Sequence, residues 1–177
     1  HNTMANESRR LGYGFSQLAY IVSDELGLGY ERELNGTLLL KAPVVTEELA
    51  TALNECVTTK DLVRHPGWYA AKLTKMRSNG ELIGFRLHGR PKTYYPRWQF
   101  DGEWRPLPIV AEIVGLVEER SLSLWDVHAE MLRTVRYKRQ KRALADLCTD
   151  EEGSKWLLAH LESRFRHARR ESRSGSQ

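Results

Sequence analysis

Apolar residues fall at helical spacing over much of the chain and at alternate positions in a short central stretch. Phe15, Leu18, Ala19, Val22 and Leu26 predict an amphipathic helix, with Gly27 behind it as a stop. Asn35-Gly36, between two short runs within residues 30–41, signals a hairpin. Thr46 can cap a helix that carries Leu49 and Leu53 and ends near Cys56. Past Pro106 and Pro108, a helix carries Ile109, Val110, Ile113, Val114 and Val117. Ser123 opens another, with Leu124, Val127, His128, Met131 and Val135 along one face. The segment 136–142 reads as helical too. Thr149 with Glu152 forms a capping box ahead of Leu157, Leu158, Leu161 and Phe165. From Arg166 the chain is polar and basic, and is expected to fray.

The central stretch, residues 57–100, behaves differently. Thr58 is a good N-cap, Asp61 stands at the third helical position, and Leu62 and Val63 give an apolar side. His65-Pro66-Gly67 must stop that helix, because proline cannot continue it and restricts the residue before it. Trp68 falls in the turn, as a plug for the small core. A second helix runs from about Tyr69 to Asn79, with Leu73 and Met76 facing the first, and Gly80 ends it. Ile83, Phe85 and Leu87 then alternate, and the tip His88-Gly89-Arg90-Pro91-Lys92 leads into Thr93-Tyr94-Tyr95. Two short helices, a tight turn and a hairpin with a basic tip make a winged helix-turn-helix. The expected fold is mainly α with a small β-hairpin wing, followed by a C-terminal helical bundle. Four segments are expected: a helical and hairpin segment at 4–56, the winged helix-turn-helix at 57–105, a helical domain at 106–170 for dimerisation or partner binding, and a tail at 171–177.

Charge sharpens the picture. The net charge is +4, which alone says little. Residues 1–57 hold 4 Lys/Arg against 8 Asp/Glu, whereas residues 58–97 hold 9 against 2. Residues 133–142 add six basic side chains and no acid. A basic block inside a folded segment, flanked by acidic ones, is the footprint of phosphate contact; a solvated basic face is the alternative. Cys56 and Cys148 lack CxxC spacing, which excludes a zinc ribbon and points to buried thiols in a reducing cytoplasm. There is no apolar run of membrane-spanning length and no signal-peptide core, so a cytoplasmic, nucleoid-associated protein is expected. His1, Asn2 and Thr3 stand ahead of Met4 and read as additions before the native start.

The second helix of such a unit enters the major groove by its N-terminal part. With Leu73 and Met76 inward, the candidates for DNA contact are Ala70, Ala71, Lys72, Thr74, Lys75 and Arg77. Small alanines allow close approach, lysines can meet guanine acceptors or phosphate, and Thr74 can meet a base or a thymine methyl. Arg86, His88, Arg90 and Lys92 on the wing would hold backbone or minor groove and set register. Arg136, Arg139 and Arg142 form a second candidate patch.

Val57-Thr58, Gly67, Asn79-Gly80-Glu81-Leu82 and Gly89-Arg90 before a tyrosine strand resemble the excisionase-like and MerR-like winged helices. Tyr94-Tyr95-Pro96-Arg97-Trp98-Gln99-Phe100-Asp101, with Gly102 and Pro106-Leu107-Pro108, resembles bacterial regulators in which such a reader precedes an Xre/MbcA/ParS-type toxin-binding region. The resemblance covers roughly residues 45–135 and implies a DNA-binding, often autoregulatory protein, in some cases an antitoxin. After residue 135 the chain departs: a basic segment and a longer last helix replace a short Gly-Arg-Thr-Pro stretch.

Other constellations carry less. Gly27-Leu28-Gly29 has no lysine-serine or lysine-threonine pair behind it and reads as a helix stop. His65, His88, His128, His160 and His167 show no metal spacing, and His128 on an apolar face reads as a core or interface residue. Trp98 and Trp104 either stack on unpaired bases or pack the wing onto the body; Trp125 and Trp156 sit at amphipathic-helix positions. No cofactor, metal or enzymatic activity is implied. The expected function is sequence-specific double-stranded DNA binding by a bacterial or phage transcriptional regulator, acting as a homodimer because the C-terminal apolar stripes are wide. The alternative is an antitoxin-type protein that neutralises a partner toxin and regulates its own operon.

Overall fold

A computed structural model of the chain describes residues 19–22, 29–32, 36–41, 47–87 and 89–174. The chain forms two compact units that divide after Arg97. The first unit contains β1 (Ala19–Val22), β2 (Gly29–Arg32), β3 (Leu38–Lys41), α1 (Glu47–Asn54), β4 (Cys56–Thr58), α2 (Thr59–Leu62), α3 (Ala70–Ser78), β5 (Phe85–Leu87) and β6 (Thr93–Pro96). The six strands form one sheet in the order β1-β2-β3-β5-β6-β4. Every pairing is antiparallel except β3 against β5.

This mixed α/β sheet overturns the expectation of a mainly α protein with a small wing. Both wing strands, β5 and β6, are interior strands of the sheet. Leu38, Leu39 and Leu40 are all fully buried, as in a strand covered on both faces, and such a run lacks the alternation that announces a strand. The hairpin signalled by Asn35-Gly36 is present, with Tyr30 opposite Leu40 and Glu31 opposite Leu39. Gly36 has φ +82°, and a Cβ there would lie 2.3 Å from the Arg77 carbonyl oxygen, so the loop before β3 rests against the end of α3. The helix expected over Phe15–Leu26 gives way at β1, where Tyr20, Ile21 and Val22 favour a strand. Phe15, Leu18, Leu26, Gly27, Leu28, Asn35 and Thr46 lie outside the described residues.

Between β4 and β5 the chain forms two helices joined by a turn, one of four residues and one of nine. The Thr58 hydroxyl accepts from the Asp61 backbone N–H at 3.2 Å, and the Thr58 backbone N–H donates to the Asp61 carboxylate at 2.9 Å. That hydrogen bond holds the Asp61 carboxyl below its ordinary range. Gly67, at φ +87°, turns the chain between the helices, and Gly80, at φ +73°, turns it after α3. Leu62, Trp68, Leu73, Phe85 and Tyr95 are buried in this unit.

The second unit contains α4 (Ile109–Arg120), α5 (Leu124–Met131), β7 (Thr134–Tyr137), β8 (Gln140–Ala143), a 3-10 run (Leu144–Thr149) and α6 (Glu151–Ser174). The helical bundle expected here is therefore interrupted. The basic segment 136–142 is a β-hairpin and not a helix, with Thr134, Val135 and Tyr137 favouring strand. Ser123 caps α5, as expected, accepting from Asp126 N at 3.1 Å. The cap of α6 shifts by one residue: Asp150 accepts from Gly153 N at 2.5 Å, while the Thr149 hydroxyl donates backwards to the Asp146 carbonyl.

Ile109, Val110, Ile113, Val114 and Val117 of α4 and Leu157, Leu161 and Phe165 of α6 are buried within the single chain. The surplus apolar surface from which a two-fold was expected is thus used internally. Glu130, buried on α5, meets His160 at 3.0 Å, Arg133 at 3.3 Å and Arg164 at 3.6 Å. A buried carboxylate is tolerated when it is paired with guanidinium groups and hydrogen-bonded in this way.

Candidate nucleic-acid interface

The outward surface of α3 is small and polar. Ala70, Ala71, Thr74, Lys75 and Ser78 are exposed, whereas Leu73 is fully buried. The Tyr69 side chain makes no capping hydrogen bond, and the first turn holds no acid. The first backbone N–H groups of α3 therefore keep their positive field, which attracts anions.

The six α3 candidates separate in the fold. Ala70, Ala71, Thr74 and Lys75 share the exposed surface. Lys72 is half-buried; its ammonium donates to the Gly67 carbonyl at 3.2 Å and lies 4.8 Å from the centre of the Trp68 ring. The Thr74 hydroxyl donates to the Ala70 carbonyl at 3.2 Å and accepts from Arg77 Nη2 at 3.3 Å. Arg77, expected to face DNA, is instead 8% exposed and turned into the unit. Its Nη1 donates to the Tyr95 hydroxyl and its guanidinium lies 5.8 Å from the centre of that ring. A residue so placed fastens α3 to β6 and is not offered to a ligand.

Of the residues expected on a wing, Arg90 and Lys92 are exposed on the loop between β5 and β6, next to Gly89 at φ +77°. The Arg90 backbone N–H closes the loop onto the Leu87 carbonyl at 3.0 Å. Arg86 is half-buried beside Leu39 and Thr93 in the sheet. His88 lies outside the described residues. The second patch belongs to the other unit, where Arg136 and Arg139 are exposed and Arg142 is half-buried on the β7–β8 hairpin.

Tyr69 was not among the sequence candidates, yet it is 60% exposed at the head of α3, with Arg64 and Val63 also exposed on the turn leading to it. The legible signal is redundancy: Trp68 already plugs the turn, so a second aromatic beside it is surplus to packing. Trp98 and Trp104 serve packing instead, though not of the wing. Trp98 Nε1 donates to Nδ1 of the fully buried His128 at 3.0 Å, and Trp104 packs on Phe100 with ring centres 5.8 Å apart, all within the second unit. The Asp101 carboxylate closes the loop beside them by accepting from Glu103 N and Arg105 N.

The first unit thus offers solvent an α-helix surface with Lys75 and a loop with Arg90 and Lys92, groups of the kind that attract anions. Among the described residues, no helix is long and apolar enough to cross a membrane. No protein-family model, curated protein or solved structure matches the chain.

Proposed function

We propose that the protein is a sequence-specific double-stranded DNA-binding protein, a transcriptional regulator that reads its site with α3 and steadies itself with the β5–β6 loop. The observation that carries this reading is the outer surface of α3. Ala70 and Ala71 leave the helix backbone approachable, Lys75 is exposed, and an N-terminus that the Tyr69 side chain does not cap adds a positive field. Arg90 and Lys92, exposed on the loop of the same unit, supply sequence-independent phosphate contacts. One such unit spans only a few base pairs, so a dimer on a two-fold operator belongs to the proposal on grounds of site length.

The test is Ala71→Glu, which puts a carboxylate on the exposed surface of α3 without disturbing the core. Binding to duplex DNA should be lost while the melting temperature stays put. Undiminished binding by this variant would overturn α3 as the reading helix.

A further inference from the structure

The β7–β8 hairpin holds five basic side chains, Arg136, Lys138, Arg139, Lys141 and Arg142, and no acid. Strand pairing sets Arg136 directly opposite Lys141. Like charges facing each other across a ribbon repel, and a counter-charge brought to them relieves that repulsion. Among the described residues no ion pair reaches Arg136, Arg139 or Lys141; only Lys138 has one, to Glu152 at 2.8 Å. Of the four hairpin cations without an ion pair among the described residues, Arg136, Arg139 and Lys141 are exposed and Arg142 is half-buried.

The turn makes the arrangement more pointed. Lys138 and Arg139 both adopt left-handed backbone, at φ 48° and 64°, the primed turn in which Asn-Gly is the relaxed choice. Bulky cations stand where glycine and asparagine would relieve strain, and strain of this kind collects at functional positions. Lys138 also lies 5.5 Å from the centre of the Tyr137 ring, which steadies the tip, while Arg139 is exposed beside it.

The surroundings narrow the partner. A protein partner needs an apolar or aromatic centre to its interface, and single-stranded nucleic acid needs exposed rings on which to stack. The hairpin offers neither: Tyr137 is 7% exposed, and the exposed large apolar residues among those described, Val63 and Tyr69, belong to the other unit. A two-stranded ribbon with cations on its edge and tip matches the major groove of a duplex, which admits such a ribbon, and the phosphates on its rims. Helix α5, by contrast, cannot serve as a second reading helix, because seven of its eight residues are buried.

We infer that the β7–β8 hairpin is a second duplex-DNA-binding element, in which Arg136, Arg139 and Lys141 take phosphates. This rests on the DNA-binding reading of the first unit and adds an element in the second. The experiment measures the full chain on a mixed-sequence duplex several helical turns long, by fluorescence anisotropy across roughly 50–200 mM salt. The triple neutralisation Arg136→Gln, Arg139→Gln and Lys141→Gln should make the log–log salt slope shallower by about 2.7, at about 0.9 per contact. Over that range this amounts to roughly a 40-fold smaller loss of affinity than in the parent protein. Arg139→Gln alone should remove about 0.9 of slope, as should Lys138→Asn with Arg139→Gly, which keeps the turn and guards against misfolding of the triple variant. An unchanged slope in variants with parental circular dichroism overturns the inference. If Ala71→Glu abolishes binding in the same assay, the reading of α3 survives that failure. Absence of salt-dependent duplex binding by the parent protein overturns both.

Discussion

Lys75 and Arg77 stand two residues apart on α3, and both have the charge a DNA contact needs. Their surroundings predict opposite consequences of truncation. Removing Arg77 deletes a charged hydrogen bond to the buried Tyr95 hydroxyl, worth about 1.5–3 kcal/mol. It also deletes the guanidinium–ring contact, worth up to about 2 kcal/mol where water is excluded. Against these stands Arg77 Nε, which is buried without a hydrogen-bond partner among the described residues, so truncation relieves a desolvation cost of about 1–3 kcal/mol. The balance is a loss of roughly 2 kcal/mol, or a fall of roughly 8–16 °C in the melting transition of the first unit. Lys75 is exposed, and its removal should leave stability within about 0.5 kcal/mol. If it meets guanine, Lys75→Ala should cost about 1–3 kcal/mol of binding and relax base choice at one position. Calorimetry and duplex-binding titrations on Arg77→Ala and Lys75→Ala make the comparison. Parental melting of Arg77→Ala together with lost DNA affinity would refute the inward placement, because Arg77 would then be reaching outward.

Three further outcomes follow from local geometry. Burial pushes the thiols of Cys56 and Cys148 up to about 12, so iodoacetamide near neutral pH should label neither until denaturant is added; rapid labelling of the native protein would contradict their placement. The folded Asp61 carboxyl titrates below its unfolded value of about 3.9, so the stability from its cap is complete above that pH and lost as pH falls through the folded value. Asp61→Asn should therefore flatten the acid limb of a melting-temperature profile, and an unaltered limb would refute the cap's role. Gly153→Ala should lower stability in spite of alanine's helix propensity, because the added Cβ would lie 2.6 Å from the Leu147 carbonyl oxygen; a raised melting temperature would refute this.

The legible parts were those governed by strong local chemistry. Thr58 with Asp61, Pro66-Gly67, and Gly80 mark the ends of α2 and α3 by capping and by backbone restriction, and the helices stop and start there. Ser123 and the apolar spacing of Ile109–Val117 announced α5 and α4 for the same reason. What was not legible depends on tertiary partners. Leu38–Leu40 joins β5 in parallel, a pairing between segments far apart in sequence that no local period reveals. The segment 136–142 carries so much charge that its strand alternation, with Val135 and Tyr137 against Arg136, was hidden in the run. At the interface, the exposure of Ala70, Ala71 and Lys75 could be argued from spacing. The inward turn of Arg77 could not, because it depends on Tyr95 of β6 and on the space above Gly84, where a Cβ would come within 2.9 Å of the Arg77 Cδ.

The central claim, that α3 reads sequence in duplex DNA, is met most directly by selection of the full chain against a pool of randomised duplexes. The account predicts enrichment of a defined motif. It also predicts that Lys75→Ala selects the same motif with one position relaxed, while Arg90→Ala weakens binding to all sequences alike. A pool that stays unenriched while salt-dependent binding persists would contradict it, and would leave the protein a binder of DNA backbone alone.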